Sequence, residues 1–149
     1  MSILVLNAGS STLKFALFAA ASLDDRADGV IDWKKDGAQA TVSFRRGSSE
    51  SDSHQAHLAD YHAAVDHALR LLADSTATDP VTACGHRVVH GGRRLHASTL
   101  INSEVKQALA EACDLAPLHN PPALEGIAAA EAVLPGIPQA VVFDTEFFQ

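Results

Sequence analysis

A polar turn near the amino terminus holds the first residues that could do chemistry. Asn7 and Lys14 enclose a small-residue segment that carries the hydroxyl groups of Ser10, Ser11 and Thr12. Backbone N–H groups of such a turn can hold phosphate oxygens, while the hydroxyls add donors and Lys14 adds positive charge. The Gly-x4-Gly-Lys pattern of a Walker A loop is absent. An ordinary hairpin turn remains an equally good interpretation, because turns favour Ser, Gly and Asn.

A second segment places an arginine at the end of a predicted strand. Gly85–Gly92 reads Gly-His-Arg-Val-Val-His-Gly-Gly, and alternation along a strand puts Arg87 and Val89 on one face. A guanidinium can bind both oxygens of a small carboxylate while a valine contacts its methyl group. A structural ion pair, commoner for a single arginine, is the alternative. His86 and His90 would lie about 13 Å apart on a strand, too far for one metal ion.

Two further candidates lie towards the carboxyl terminus. His119 occupies a break between Pro117 and Pro121, where an imidazolium could stabilise charge on a transferring phosphoryl group. A structural or solvated histidine is the commoner outcome in a loop. Asp144 follows the apolar run Val141–Phe143, and ligands of open α/β sheets gather at such strand ends. It could orient a nucleophile or bind magnesium through water, or simply cap a helix or turn.

Composition excludes several functional classes. Lys and Arg total 11 against 18 for Asp and Glu, a formal charge of −7, and no basic run is present to neutralise a nucleic-acid backbone. The two cysteines, Cys84 and Cys113, form neither a CxxC pair nor a disulfide framework, which favours a reduced, cytoplasmic protein. No apolar run approaches the roughly 20 residues that span a bilayer, so we expect no membrane association.

The hydrophobic pattern predicts the elements that position these residues. Apolar runs on both sides of the polar turn, Ile3–Leu6 and Leu13–Ala19, predict an antiparallel hairpin. Val30–Trp33 and Ala40–Phe44 are further strand candidates, divided by the Asp-Gly turn signal at 36–37. The Ser-rich segment Gly47–Ser53 is predicted to be a loop. We expect all four strands to belong to one sheet.

Helices and strands alternate in the second half of the chain. Apolar residues recur at threes and fours from Leu58 to Leu72, which predicts a helix ending near Asp74. Ser103 is the predicted N-cap of a later helix. The other predicted elements are strands at Val81–Gly91 and Gln139–Phe143 and helices at Ser103–Cys113 and Ala123–Val133, the last after an interruption at Pro121 and Pro122. Antiparallel hairpins followed by parallel strands and helices indicate an α/β layer fold.

Taken together and in this order, the four chemical segments resemble the acetate kinase family, or acetokinases, which includes close propionate kinases. That family carries Asn-x-Gly-Ser-Ser-Ser-x-Lys, His-Arg-Val-Val-His-Gly-Gly, Leu-Ala-Pro-Leu-His-Asn-Pro and Phe-Asp-Thr. The matching segments here are Asn7–Lys14, His86–Gly92, Leu115–Pro121 and Phe143–Thr145. The resemblance implies an actin-like, ribonuclease H-like domain over residues 1–149, with a mixed sheet flanked by helices.

The resemblance also implies a reaction and a set of residue roles. The reaction is the reversible transfer of phosphate from ATP to acetate, giving ADP and acetyl phosphate, with Mg²⁺ as cofactor. Arg87 would bind the acyl carboxylate, with Val89 and Leu118 in the pocket for its methyl group. His119 and Asp144 would support the transferring phosphoryl group and the acid nucleophile. At the turn, Asn7 would help place magnesium and the phosphates would lie near Ser10, Ser11, Thr12 and Lys14.

Other expectations come from the same resemblance. Acetate or another short carboxylic acid and ATP or ADP would be the partners, and the full-length protein would be a homodimer. Thr12 stands where the family usually has Ser, Glu146 where it has a small residue and Phe148 where it has His. Because family members are far longer, we expect that a carboxyl-terminal domain is absent and that this chain is inactive alone.

Two alternatives remain at this point. The substitutions Glu146 and Phe148 also fit a non-catalytic actin-like binding or interaction module derived from an acyl kinase. Another phosphotransferase or phosphohydrolase of the actin-like superfamily is a weaker alternative, because it does not account for Arg87 together with His119.

Overall fold

The strands pair into one mixed sheet. The computed structural model describes residues 1–33, 37–77 and 79–144. The strands in these ranges are β1 (Ser2–Ala8), β2 (Thr12–Ala19), β3 (Asp25–Trp33), β4 (Gln39–Arg46), β5 (Asp52–His57), β6 (Val81–Val88), β7 (Thr99–Leu100) and β8 (Gln139–Phe143). They lie side by side in the order β5-β4-β3-β2-β1-β6-β8-β7.

The pairing confirms the predicted sequence of antiparallel and then parallel strands. β1 to β5 pair antiparallel with their neighbours in the chain. β6 pairs in parallel with β1, and β8 in parallel with β6, while the short β7 pairs antiparallel with β8. The carboxyl ends of β1, β6 and β8 therefore meet at one edge of the sheet.

Alternation along the strands gives the sheet one buried and one partly exposed face. Leu4 and Leu6 of β1 are buried, whereas Val5 between them is partly exposed. Cross-strand partners share a face, and the same face buries Phe15 of β2, Val88 of β6 and Phe143 of β8. Burial of these side chains is the main stabilising contribution of the sheet.

Helices cover the buried face. They are α1 (Tyr61–Leu71), the short α2 (Ala73–Thr76), α3 (Ser103–Glu111) and α4 (Asn120–Val133), and a single 3₁₀ turn, Ala112–Leu115, follows α3. Val65 of α1 joins the cluster beneath β1 to β4, and Ile127 of α4 joins a second cluster beneath β6 and β8. None of the helices in the described ranges is both long enough and apolar enough to cross a membrane.

Three helix starts differ from the sequence-based prediction. α1 begins at Tyr61, after Leu58, the first residue of the predicted apolar stripe. Asn102, not Ser103, caps α3, because its side-chain oxygen accepts a hydrogen bond from the Val105 N–H at 2.9 Å. Both residue types cap helices well, so the pattern could not separate them. α4 begins at Asn120 rather than at Ala123, because its two prolines occupy the first turn. N–H groups in the first turn have no partner within the helix, so proline loses no hydrogen bond there.

Other boundaries of strands and helices differ from the prediction as well. The predicted strand Val81–Gly91 ends at Val88, and α1 ends at Leu71, with α2 continuing towards the predicted end at Asp74. β5 begins at the end of the predicted loop Gly47–Ser53 and is polar almost throughout, so it lacks the apolar alternation of a half-buried strand. The predicted Asp-Gly turn includes Asp36, which lies outside the described residues.

Candidate functional site

Four polar side chains form a row along the edge where the parallel strands end. Asn7 of β1 lies opposite Lys14 of β2, and the register of the parallel ladders places Arg87 of β6 next to Asn7 and Asp144 just beyond β8. Adjacent strands lie about 4.8 Å apart, so the row of Lys14, Asn7, Arg87 and Asp144, which we call the edge row, extends over about 15 Å. By strand alternation, these residues belong to the partly exposed face.

Arg87 and Asp144 are in direct contact within the edge row. The Arg87 Nε–H donates to Asp144 Oδ1 at 2.7 Å, and a terminal N–H of the same guanidinium donates to Oδ2 at 2.8 Å. This paired geometry raises the pKa of Arg87 above its ordinary value, through the hydrogen bonds first and the charge of Asp144 second. The arginine side chain is still 55% exposed and the aspartate 25% exposed. Both groups can therefore reach a ligand.

The predicted hairpin turn is present at the tip of β1 and β2. The Gly9 N–H donates to the Thr12 carbonyl at 2.8 Å and closes the turn. Ser10 and Ser11 are exposed at its tip, and Lys14 is exposed one strand away from Asn7. The hydroxyls, the ammonium group and the amide side chain proposed from the sequence thus lie at the same edge of the sheet.

A second turn follows Arg87 and is fixed by two glycines. The Gly92 N–H donates to His90 Nδ1 at 2.8 Å, and Gly92 has a φ of 72°, a conformation that favours glycine. A Cβ atom at Gly91 would lie 2.2 Å from the Leu95 carbonyl oxygen, so no other residue fits there. Val89, at the start of this turn, is half-buried.

Asn120 connects this turn to the loop that carries His119. Its side-chain N–H donates to the His90 carbonyl at 2.7 Å, and its Oδ1 accepts from the His90 N–H at 3.4 Å. Asn120 is only 1% exposed, whereas Leu118 and His119 just before it are exposed. The described residues show no hydrogen bond between the His119 side chain and the edge row. Sequence reasoning missed Asn120, although it stands next to His119 in the third segment.

Comparison with known proteins assigns the family. The sequence profile of the Acetokinase family matches residues 2–149. The chain belongs to the acetokinase family. It is 43% identical over 146 residues to an acetate kinase of Deinococcus radiodurans, covering 98% of this chain and 36% of that protein. It is 36% identical over 154 residues to an acetate kinase of Methanosarcina acetivorans, covering 100% of this chain and 38% of that one.

Solved acetokinase structures share the fold. The crystal structure of an acetate kinase from Porphyromonas gingivalis matches 99% of this chain with a TM-score of 0.90 and 35% identity, over 38% of its own length. A propionate kinase from Francisella tularensis subsp. tularensis SCHU S4 matches 98% of the chain with a TM-score of 0.87 and 33% identity, over 37% of its length. The fold is therefore actin-like, as predicted. The chain spans less than two-fifths of the length of these relatives and corresponds to their amino-terminal portion.

The acetokinase chain also has a cavity beside the hairpin tip. It measures about 450 Å³ and is lined at the tip by Ser10 and Ser11, and behind them by Trp33, Tyr61 and Glu125. The ring of Trp33 meets that of Tyr61 edge to face, with centroids 5.3 Å apart. The sequence pattern predicts Tyr61 only as part of the apolar stripe of a helix. It gives no indication that Tyr61 lies beside the hairpin turn.

The predicted site residues are thus arranged in two groups. The edge row and the hairpin tip share one edge of the sheet. The second group lies in two turns that Asn120 joins to each other, and it consists of Val89, Leu118 and His119. Within the described part of the chain, none of these three side chains forms a hydrogen bond with Arg87. Thr145, Glu146 and Phe148 lie outside the described residues.

Proposed function

We propose that this chain forms the amino-terminal, actin-like part of an acetate kinase-type phosphotransferase. The edge row carries the proposal, because it sets an ammonium group, an amide, a guanidinium and a carboxylate side by side on one exposed edge. Phosphoryl transfer requires mainly alignment of the reactants and neutralisation of charge. The residues of the edge row are of the types that can supply both.

Arg87 is the proposed ligand of the acid substrate. A guanidinium has five N–H donors, and Asp144 uses only two of them. The remaining donors can bind the carboxylate of acetate, with Val89 and Leu118 as the proposed contacts of its methyl group. In this arrangement Asp144 fixes the orientation of Arg87 and lies beside the carboxylate oxygen that becomes the nucleophile.

The hairpin tip is the proposed binding site of the ATP phosphates. Ser10, Ser11 and Thr12 offer hydroxyl donors, and Lys14 offers a positive charge in a chain whose net charge is −7. An anion must therefore be bound by local donors against an unfavourable overall field. Exposure of the tip and its position next to Asn7 support this assignment.

Asn7 is the proposed magnesium ligand, and Asp144 could hold the ion through water. Asn7 lies on β1 and Asp144 directly follows β8, the two strands that flank β6. Magnesium is commonly held by one or two protein oxygens together with waters and substrate phosphates, and no group of three or more metal-ligating residues is found in the described ranges. When bound, the ion would neutralise charge on the phosphates.

The proposed reaction follows from these positions. A carboxylate oxygen of acetate, oriented by Arg87, attacks the γ-phosphorus of ATP, and the bond from that phosphorus to the β,γ-bridging oxygen breaks. The products are acetyl phosphate and ADP. His119 is the proposed donor to the transferring phosphoryl group. We further propose a cytoplasmic location, and a homodimer for the longer protein of which this chain would be the amino-terminal domain.

Joining the chain to the carboxyl-terminal portion of a longer relative tests the proposal. The chain is joined to the remaining carboxyl-terminal segment of the Deinococcus radiodurans acetate kinase, and acetyl phosphate is trapped as the hydroxamate. We expect activity from the fusion, and a decrease in kcat/KM of at least about 100-fold for Arg87→Ala or Asp144→Ala. Arg94→Ala is the matched control, since Arg94 is equally exposed and pairs with Glu111 away from the edge row.

Two outcomes would argue against the assignment. A folded but inactive fusion, beside an active Deinococcus enzyme, would favour the alternative of a non-catalytic binding module. Equal losses for Arg87→Ala and Arg94→Ala would show that the edge row has no special part in the reaction.

A further inference from the structure

Three carbonyl groups of the hairpin tip accept hydrogen bonds, whereas two of its amide groups have no partner among the described residues. The Gly9 carbonyl accepts a hydrogen bond from the Tyr61 hydroxyl, the Ser11 carbonyl accepts from the Trp33 N–H at 3.0 Å, and the Thr12 carbonyl accepts from Gly9. By contrast, the backbone N–H groups of Ser10 and Ser11 have no hydrogen-bond partner within the described part of the chain. The tip therefore has two adjacent N–H donors, from Ser10 and Ser11, that could bind an anion.

Planarity of the peptide unit connects Tyr61 with this polarity. The Gly9 carbonyl and the Ser10 N–H belong to the same trans peptide, so they point in opposite directions. A hydroxyl that fixes the carbonyl consequently fixes the N–H as well. Because Tyr61 starts α1 in the helix layer, the Ser10 N–H points away from that layer.

Tyr61 is held in position by the Trp33 ring and by the capped start of its helix. Asp60 caps α1, with its Oδ1 accepting from the Ala63 N–H at 2.8 Å. The ring of Trp33 packs against the Tyr61 ring, and the Trp33 indole N–H donates to the Leu58 carbonyl at 2.8 Å. Partial burial, and secondly the charge of Glu125, raise the pKa of Tyr61. The hydroxyl thus keeps its proton and remains a donor.

We propose that Tyr61 is a positioning residue for phosphate binding: its hydroxyl holds the Gly9–Ser10 peptide so that the Ser10 N–H, beside that of Ser11, faces the phosphate chain. This inference rests on the proposed function of the hairpin tip. Trp33 supports it twice, through its backbone bond to Ser11 and through its ring contact with Tyr61. Without the hydroxyl, the peptide is free to rotate and to present its carbonyl oxygen to the anion.

The test uses the 149-residue chain labelled with ¹⁵N. Inorganic tripolyphosphate is titrated into the wild-type chain and into Tyr61→Phe, which removes only the hydroxyl. We expect the Ser10 and Ser11 amide signals of the wild-type chain to shift, and the Kd for Tyr61→Phe to rise about fivefold, with a smaller Ser10 shift. His62→Gln, an exposed neighbour on the same helix, is expected to leave the Kd unchanged.

Acetate binding distinguishes a local effect of Tyr61→Phe on the phosphate site from a general disturbance of the structure. Its titration, followed at the Arg87 Nε–H signal, should give the same Kd for the wild-type chain and Tyr61→Phe. If tripolyphosphate shifts Ser10 equally with the same Kd in both chains, the positioning role is wrong while the phosphate site remains. If the wild-type chain shows no shift at Ser10 or Ser11, the phosphate site is wrong and this inference is overturned with it. Parallel weakening of acetate and tripolyphosphate would also overturn it.

Discussion

Arg87 and Asp144 hold each other through two parallel hydrogen bonds although 57 positions separate them in the chain. Arg87 lies on β6 and Asp144 directly follows the adjacent parallel strand β8, at the edge where both strands end. Neither group is fully buried, so this pair contributes little to stability. Its importance lies in the orientation that Asp144 gives to the guanidinium.

Asp144→Asn is expected to strengthen acetate binding by the chain. The carboxylate of Asp144 repels an incoming carboxylate and occupies two donors of Arg87, and the amide removes the charge while keeping the size. Because the pair is partly exposed, we expect the Kd for acetate to fall only about two- to fivefold. Isothermal titration with sodium acetate at constant ionic strength measures the change. Arg87→Lys, which cannot bind two oxygens side by side, should instead raise the Kd, and weaker binding by Asp144→Asn would contradict the prediction.

Asn120→Ala is expected to destabilise the fold more than another asparagine substitution does. The Asn120 side chain makes two hydrogen bonds to the backbone of His90. Its loss leaves the partly buried N–H and carbonyl groups of His90 without these partners. We expect a decrease of about 2 kcal/mol in the free energy of unfolding. Asn102→Ala, which removes one N-cap bond from α3, should cost about 1 kcal/mol. Urea unfolding of both variants provides the comparison, and an equal or smaller effect of Asn120→Ala would show that the His90 turn does not depend on it.

The edge row could be predicted because its members stand close to the ends of apolar runs that indicate strands. In β1 four buried positions alternate with partly exposed ones, of which Asn7 is the last, and the short apolar run of β8 stops directly before Asp144. For these strands the period of two and the parallel arrangement together determine the edge at which the side chains meet. The contact between Arg87 and Asp144 itself was not predicted, since register does not follow from pattern alone.

Other features depend on contacts that leave no periodic signal. β5 is recognised as a strand only through its backbone pairing with β4, because its side chains are polar. The bond from Tyr61 to Gly9 joins a helix start to a turn 52 positions earlier, and neither residue type specifies the other. Tertiary packing decides both, which is why sequence reasoning found the polar turn but missed the residue that orients it.

Stability should decrease as the pH falls below about 6.5, and His86 should be one cause. Burial lowers the pKa of His86 below its ordinary value of 6.5, although the bond to Gln139 partly offsets this. The unfolded chain therefore takes up a proton near pH 6.5 that the folded chain does not, so the stabilising contribution is complete above that pH and is lost on acidification. We expect a loss of about 1 kcal/mol from this residue between pH 7.5 and 5.5.

Urea unfolding at several pH values measures this loss, and His86→Gln is the matched variant. Glutamine can still donate to Gln139 but does not titrate, so the slope of stability against pH should become smaller. A residual slope of the same sign is expected from His67, whose pKa is lowered chiefly by burial. An unchanged slope in His86→Gln would exclude His86 as a cause.

Cys84 should report the opening of the central sheet. Its thiol is 2% exposed on β6, and burial raises its pKa to about 12. Cys113 is only partly buried, and its pKa is raised by burial and by Asp114. Alkylation requires both access and a thiolate, so iodoacetamide at pH 8 should modify Cys113 first and Cys84 at least about 100-fold more slowly, at the rate of sheet opening.

Mass spectrometry of timed samples separates the two cysteines, and Cys113→Ser leaves Cys84 as a single probe. In denaturing urea both thiols should react at similar rates, because their environments become equivalent. Asn120→Ala should accelerate Cys84 modification in proportion to any sheet opening that it causes, since Cys84 lies on β6 and the turn at His90 directly follows this strand. Rapid labelling of Cys84 in the native chain would mean that β6 opens without global unfolding, and that the edge row is held less firmly than its hydrogen bonds indicate.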